Sequence, residues 1–159
     1  MSGLVQGITI ATALGFALVA GVFLAFSTFV MPALARLPSA QGAAAMQSIN
    51  VCAITPSFMA ALFAPLLAGI GLAIWALLSW DEAAAPWLLA GGALYLLGTI
   101  VVTMAANVPM NDELAAMEPE SARAADYWPR YVRGWTAWNH VRGAAGLAAA
   151  ALLTIGLVV

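Results

Sequence analysis

One short segment near the C-terminus carries most of the side chains that could do chemistry. Residues 134–143 read GWTAWNHVRG, and they precede AAGLAAAALLTIGLVV, which contains only apolar residues, glycine and threonine. The segment holds the only histidine of the chain, His140, together with Asn139 and Arg142. An imidazole can accept a proton near neutral pH, while amide and guanidinium groups donate hydrogen bonds to oxygen atoms. This combination suits either proton removal with stabilisation of the resulting oxyanion or the binding of an oxygen-bearing ligand.

Helical spacing places several of these side chains together. Trp135, Asn139 and Arg142 are separated by four and then three residues, so they share one face of a helix. Trp138 lies one turn before Arg142, whereas His140 lies about 100° around the helix from Asn139. Indole rings stack on flat molecules and a planar guanidinium hydrogen-bonds their oxygen atoms, so this face would suit an oxygen-bearing aromatic ligand.

A second polar group occurs at the end of the third apolar segment. Thr103 and Asn107 are one helical turn apart, and Asn111 follows them beyond Pro109 in the sequence NVPMN. Because these residues border an apolar segment, their hydroxyl and amide groups are candidates to contact the same ligand as Asn139 and Arg142.

The overall composition determines the class of protein to which these residues belong. The 159 residues are 64% hydrophobic and 8% charged, and the mean hydropathy is +0.98. Such values are far from those of soluble globular proteins and indicate an integral membrane protein. The net charge of −2 provides no basic field, so nucleic-acid binding is excluded. A single cysteine, Cys52, excludes an internal disulfide.

Four apolar segments are long enough to cross a bilayer, at about 4–30, 56–80, 86–107 and 137–159. They predict an all-α, integral membrane four-helix bundle in a single domain spanning 1–159, with long polar loops at about 31–55 and 108–136. Pro32 and Pro109 are expected to end the first and third helices, and Pro65 to kink the second. Frequent glycine and alanine would let the helices pack closely, and would also suit association with a second copy.

The distribution of arginines predicts the orientation in the membrane. The two long loops hold Arg36, Arg123, Arg130 and Arg133, whereas the two termini and the short turn WDEAAAP hold none. Positively charged loops are retained in the cytoplasm. We therefore expect the protein in the cytoplasmic membrane, with both long loops in the cytoplasm and both termini outside.

Polar residues gather where all four helices approach the long loops. Ser27 and Thr28 lie near the end of the first helix, Asn50 and Thr55 before the second, and the groups around Asn107 and Asn139 at the third and fourth. Because alternating helices bring these ends to one side of the bilayer, we expect a pocket that opens toward the long loops. The other half of the bundle has few polar residues, which disfavours a pore for small solutes.

Structural interpretations of the same residues stay open at this point. Trp135 and Trp138 are also suited to an interfacial aromatic belt. Arg142 could extend its charged group to the membrane surface, because residues 143–159 alone are about long enough to cross the bilayer. Asn107 would suit a helix C-cap, and His140 a structural or interface position.

Three sequence elements together resemble a known family. GVFLAFSTFVMPALARLP at 21–38, NVPMN at 107–111 and WTAWNHVR at 135–142 are similar to the anthrone-oxygenase-like family of small four-helix membrane proteins. The resemblance implies an oxygenase that converts polyketide-type anthrones to anthraquinones. The positions that match its motifs are Asn107, Pro109, Asn111, Trp135, Trp138, Asn139 and Arg142.

No cofactor motif accompanies this resemblance. The sequence has no strand followed by a Gly-rich turn, which a flavin or nicotinamide cofactor would need. Haem usually takes two strong axial ligands, and the single histidine supplies only one. His140 and Cys52 are far apart in sequence, so they are weak candidates for a shared metal site. We therefore expect oxidation without a cofactor and with molecular oxygen as co-substrate, although haem with a methionine ligand, or copper, stays open.

In this scheme, removing the acidic C–H proton of an anthrone gives an anion that reacts with oxygen directly. His140 is the candidate base, and Arg142, Asn107 and Asn139 would stabilise the oxyanion. Trp135, Trp138, Asn111 and Thr103 would bind the substrate. The alternative is a membrane protein without enzymatic activity that binds a lipid, a quinone or a partner membrane protein. Such a protein would need the pocket but no base at His140.

Overall fold

The computed structural model covers residues 1–159 and consists of five helices without any strand. The helices are α1 (Gly3–Leu34), α2 (Ser39–Ala53), α3 (Pro56–Leu78), α4 (Ala85–Ala115) and α5 (Ala122–Gly156). The prediction of an all-α membrane protein is confirmed, but the count of four helices is wrong. The additional helix, α2, lies within the segment 31–55 that was predicted to be a loop.

Three of the helices, α1, α3 and α4, are long and apolar enough to cross a membrane. The predicted fourth span at 137–159 falls on the C-terminal part of α5, which ends at Gly156 and is not among these three helices. Asn139, His140 and Arg142 lower the hydropathy at the start of that part. From Gly143 onward α5 packs along α1 and α4 and so completes the bundle.

The prolines after the first and third apolar segments do not end their helices. A π-helical turn at Phe26–Val30 precedes Pro32, and a second one at Thr103–Asn107 precedes Pro109. The backbone N–H of the residue before each proline donates to the carbonyl oxygen five residues earlier, from Met31 to Phe26 and from Val108 to Thr103. The wider turn re-pairs backbone groups around each proline, so α1 continues to Leu34 and α4 to Ala115.

The segment 108–136, predicted to be a loop, is also mostly helical. The Ser121 side chain caps the start of α5 by accepting a hydrogen bond from the Ala124 amide. The first half of α5 packs with α2 and the end of α4 around buried aromatic and methionine side chains. We call this cluster of buried side chains the cap. It contains Met31, Leu34, Ala43, Met46, Leu114, Met117, Ala124, Tyr127, Trp128, Tyr131 and Trp135. The cap lies where the sequence predicted an open pocket.

Small residues allow close approach of the helices that carry the polar residues. A Cβ atom on Gly146 would lie 3.3 Å from Ala20 Cβ, and one on Gly143 would lie 3.4 Å from Phe23 Cβ. These contacts bring α5 close to the backbone of α1. Pro65 lies within the continuous helix α3 and packs on Gly15 of α1, while the kink at Pro65 stays a prediction. At the opposite end, the Met1 amine bonds Glu82 Oε2 at 2.8 Å.

Candidate functional site

The guanidinium of Arg142 lies inside the bundle. Its side chain is 5% exposed, Nη2 donates to Asn139 Oδ1 at 2.7 Å and Nη1 donates to Thr103 Oγ1 at 3.2 Å. Its Cζ lies 4.3 Å from the centre of the Phe23 ring and 5.1 Å from the Trp135 ring. These contacts hold the cation among polar and aromatic groups. Arg142 therefore does not extend to the membrane surface.

Asn139 connects this cation to α1. It is fully buried, and its Nδ2 donates to Phe23 O at 2.6 Å and to Ser27 Oγ at 2.7 Å. Because Oδ1 accepts from Arg142, the hydrogen bonds define the orientation of the amide. A continuous hydrogen-bonded path therefore leads from Arg142 through Asn139 to the hydroxyl of Ser27.

Three π-helical segments, Phe26–Val30 in α1 and Tyr95–Val101 and Thr103–Asn107 in α4, coincide with this network. Ser27 lies in the segment of α1, Thr99 in the first segment of α4, and Thr103 and Asn107 are the first and last residues of its second. A further bond joins the two helices beside it, since Thr99 Oγ1 donates to the backbone oxygen of Arg142 at 3.2 Å. Single π-helical turns inside α-helices occur frequently at functional sites. This placement supports a functional role for Ser27, Thr103 and Asn107.

Asn107 and Asn111 face the same part of α5. Asn107 is 1% exposed and its Nδ2 donates to Trp135 O at 3.2 Å, while its Oδ1 has no partner in the chain. Asn111 Oδ1 accepts from Tyr131 Oη and from Trp135 Nε1, both at 2.8 Å. Because α4 continues past Asn107, this residue is not a helix C-cap. Both amides bind α5 to α4.

The aromatic residues of α5 separate into a buried and an exposed group. Trp128, Tyr131 and Trp135 stack in series with centroid distances of 5.6 and 6.4 Å. Trp135 is 5% exposed, whereas Trp138 is 45% exposed and is suited to the membrane interface. Burial raises the pKa of Tyr131 well above its usual range, so this phenol stays protonated and donates to Asn111. The faces of Trp135 are occupied by Arg142 and by other aromatic side chains.

The cavity nearest to these residues opens sideways between α1 and α5. Its volume is about 310 Å³, and its wall combines mostly small and apolar side chains with three polar residues. These polar residues are Ser27, Asn139 and His140, and the other lining residues are Ala17, Ala20, Gly21, Phe23, Leu24, Gly143, Ala144 and Leu147. We call this cavity the α1–α5 groove. This cavity lies at the flank of the bundle and not at the end that faces the long loops, where the sequence predicted a pocket.

The predicted site residues thus divide between two places. Asn107, Asn111, Thr103, Trp135 and Arg142 are joined in the interior between α4 and α5. His140 lines the groove instead, because it lies about 100° from Asn139 around α5. Asn139 belongs to both places.

Ser27 was counted among the polar residues around the predicted pocket without being given a role, and Phe23 was not singled out. Ser27 and Thr28 near the end of the apolar segment GVFLAFSTFV indicated a polar region without identifying one hydroxyl, and nothing in the sequence distinguished Phe23. No group of three or more His, Cys, Asp or Glu side chains that could hold a metal ion occurs in the chain.

Comparison with known proteins identifies one family. A family model described as anthrone oxygenase matches residues 56–152. The matched segment contains α3, α4 and most of α5, including NVPMN and WTAWNHVR, while the motif of α1 lies outside it. No curated protein and no solved structure matches the chain. Since the match covers more than half of the residues, the chain belongs to the anthrone oxygenase family.

Proposed function

We propose that the protein is a membrane-embedded oxygenase that oxidises an anthrone-like phenolic aromatic in the α1–α5 groove. Molecular oxygen is the co-substrate, and no bound cofactor takes part. The observation that carries this proposal is that His140, Ser27 and Asn139 line one otherwise apolar cavity of about 310 Å³. This volume lies at the lower end of the range for small-molecule pockets, about 300–1,000 Å³.

The chemistry begins with removal of a proton from the acidic methylene carbon of the anthrone. His140 takes this proton, and the negative charge moves to the carbonyl oxygen of the anthrone. The anion gives electrons to oxygen and forms a peroxide at the same carbon. Loss of water from the protonated peroxide leaves a carbonyl, so one methylene and one oxygen molecule give one ketone and one water.

Ser27 is the group best placed to stabilise the oxyanion. Its Oγ already accepts a hydrogen bond from Asn139 Nδ2, so its own hydrogen is free to point to a ligand in the groove. The amide hydrogens of Asn139 are engaged by Phe23 and Ser27, and Arg142 lies behind them. Asn139 and Arg142 therefore act as positioning residues for Ser27, and Asn107 holds α4 against α5.

The test compares His140→Ala with wild-type protein purified in detergent and checked for metal and flavin by elemental analysis and absorbance. Oxygen consumption is measured with unsubstituted anthrone, and the spontaneous rate is subtracted. General-base assistance contributes about 10²- to 10⁴-fold, so turnover should fall by that factor while anthrone affinity changes little. Val141→Ala, at the exposed neighbouring residue, is the control and should keep full turnover. Full turnover in His140→Ala would show that another group is the base.

A binding protein without catalysis is the second candidate. His140 makes no side-chain hydrogen bond within the chain, so no neighbouring group fixes its ring for proton transfer. Under this alternative, anthrones, quinols and naphthols would bind in the groove without any increase in oxidation rate. Tight binding with no rate enhancement across these compounds would favour the binding protein over the oxygenase.

A further inference from the structure

The α1–α5 groove does not end at its polar residues. A second cavity of about 400 Å³ continues along the same pair of helices and shares Ala17 and Leu147 with the first. Its remaining lining residues are Ile10, Ala13, Leu14, Ala150, Ala151, Thr154 and Leu157. Because two wall residues are common to both, the two cavities adjoin along α1 and α5, and we call them together the extended groove.

This extended groove has one polar end and one apolar end. Ser27, Asn139 and His140 lie at the first, whereas Thr154 is the only polar residue of the second cavity and donates its hydroxyl to Ala150 O at 2.9 Å. From Ser27 to Ile10 the groove extends about 25 Å along α1, at 1.5 Å per residue. This length is close to the thickness of the bilayer core, about 30 Å. The shape and polarity match a molecule with a polar ring at one end and a long apolar chain at the other.

We infer that the molecule bound and oxidised here is an aromatic phenol or ketone that bears a long hydrocarbon chain. The inference rests on the proposed function and specifies its substrate class. The oxygen-bearing ring lies beside Ser27, Asn139 and His140, and the chain follows Ala17, Leu147, Ala13 and Ala151 toward Ile10 and Leu157.

The attachment of chain to ring distinguishes this ligand from bulk lipid. A free hydrocarbon chain gains little by leaving the bilayer for an equally apolar groove. A chain attached to a ring that is already bound is held near the groove, so its packing adds to affinity with little further loss of freedom. The polar end therefore selects the ligand, and the apolar end increases its affinity.

The test blocks the chain without touching the ring. Ala151 and Ala148 are both exposed alanines of α5, but only Ala151 lines the groove. Ala151→Phe should obstruct the apolar end, and Ala148→Phe is the matched control. Binding of anthrone and of anthrones with short, medium and long n-alkyl chains is measured by equilibrium binding to protein in nanodiscs, with empty nanodiscs subtracted.

We expect affinity to rise with chain length in wild-type protein and in Ala148→Phe. In Ala151→Phe the affinity for the long-chain ligand should fall about 10-fold or more, because forced overpacking has a free-energy cost of that order. The affinity for unsubstituted anthrone should stay as in wild-type protein. An equal rise with chain length in Ala151→Phe would overturn the inference, because the chain would then act only through partition into lipid.

Turnover separates this inference from the proposed function. If chain-bearing anthrones bind with the expected dependence on Ala151 but none is oxidised, the oxygenase proposal fails and the ligand class stands. If unsubstituted anthrone is oxidised and added chains change neither affinity nor turnover, the ligand class fails and the oxygenase proposal stands.

Discussion

Arg142 Nη2 lies 2.7 Å from Asn139 Oδ1, so a cation on one side of α5 orients an amide that faces α1. Donation to Oδ1 polarises the amide and strengthens the bonds from its Nδ2 to Phe23 and Ser27. The interior between α4 and α5 is thereby coupled to the groove between α1 and α5. Residues that touch no ligand are expected to influence the groove through this contact.

Arg142→Lys tests the coupling. Lysine keeps the charge but lacks the planar fork that reaches Thr103 and Asn139 together. We expect the protein to fold, with a free energy of unfolding lower by about 1.5–3 kcal/mol, the range for hydrogen bonds to charged groups. Anthrone binding or turnover should be impaired. Thermal unfolding and oxygen consumption in detergent measure the two effects.

The matched control for Arg142→Lys is Arg133→Lys, at an exposed arginine of the same helix. It should change neither stability nor activity. Full function in Arg142→Lys would mean that the orientation of Asn139 does not depend on the guanidinium.

Ser27→Ala tests the proposed oxyanion donor. Loss of one such donor reduces turnover by about 10²- to 10³-fold, whereas binding of the neutral substrate should change less. Thr28→Val is the control, because Thr28 is exposed and its hydroxyl is engaged by Leu24 O at 2.7 Å. Steady-state oxygen consumption gives kcat and KM for both variants. Equal turnover in Ser27→Ala and wild type would remove Ser27 from the mechanism.

Tyr131→Phe should alter stability in two pH ranges. At neutral pH, loss of the bond from Tyr131 Oη to Asn111 should lower the free energy of unfolding by about 0.5–1.5 kcal/mol. Burial raises the pKa of Tyr131 in the folded protein. Its protonation therefore stabilises the fold below the usual tyrosine pKa of about 10, and this contribution is lost as the pH rises toward the folded value.

The alkaline effect is measured by thermal unfolding between neutral pH and about pH 11, the upper limit lying just above the ordinary tyrosine value. Wild-type protein should lose stability above pH 10 more steeply than Tyr131→Phe. Parallel curves for the two proteins would show that another group, such as Tyr127, whose pKa burial raises to about 12, dominates alkaline unfolding.

Gly92→Ala tests close packing between α3 and α4. A Cβ on Gly92 would lie 2.7 Å from Gly69 O, a backbone atom that cannot rotate away. Overpacking should lower the free energy of unfolding by about 1–3 kcal/mol. Gly71→Ala is the control, since a Cβ there meets nothing within 4 Å, and it should leave stability equal or higher. Equal Tm values for both variants would show that the helices separate easily at Gly92.

Reporter fusions at Asp81 and Glu118 test the predicted topology. The Met1 amine bonds Glu82, which places the N-terminus beside the turn that contains Asp81. Glu118 lies between α4 and α5, on the arginine-rich side predicted to be cytoplasmic. The two fusions should report opposite sides, with Asp81 outside. A cytoplasmic signal from Asp81 would reverse the orientation without altering the fold.

The sequence by itself determined the class of the protein and one helix face that carries candidate site residues. Composition and long apolar segments are sufficient to predict membrane helices, because the bilayer requires such segments. The spacing of Trp135, Asn139 and Arg142 predicted three side chains on one helix face, and all three lie on the buried face of α5. Helical periodicity is a local property, so it could be derived without knowing any neighbouring helix.

The tertiary structure decided which helices these faces meet. Periodicity placed His140 about 100° from Asn139, but only the packing of α1 on α5 shows that this angle leads into a groove. In the π-helical turns before Pro32 and Pro109, backbone groups form hydrogen bonds five residues apart, so both helices continue past the proline. The prediction that each proline ends its helix therefore placed both helix ends too early. Ser27 became part of the site through a bond to a residue 112 positions away, and no local pattern contains such a contact.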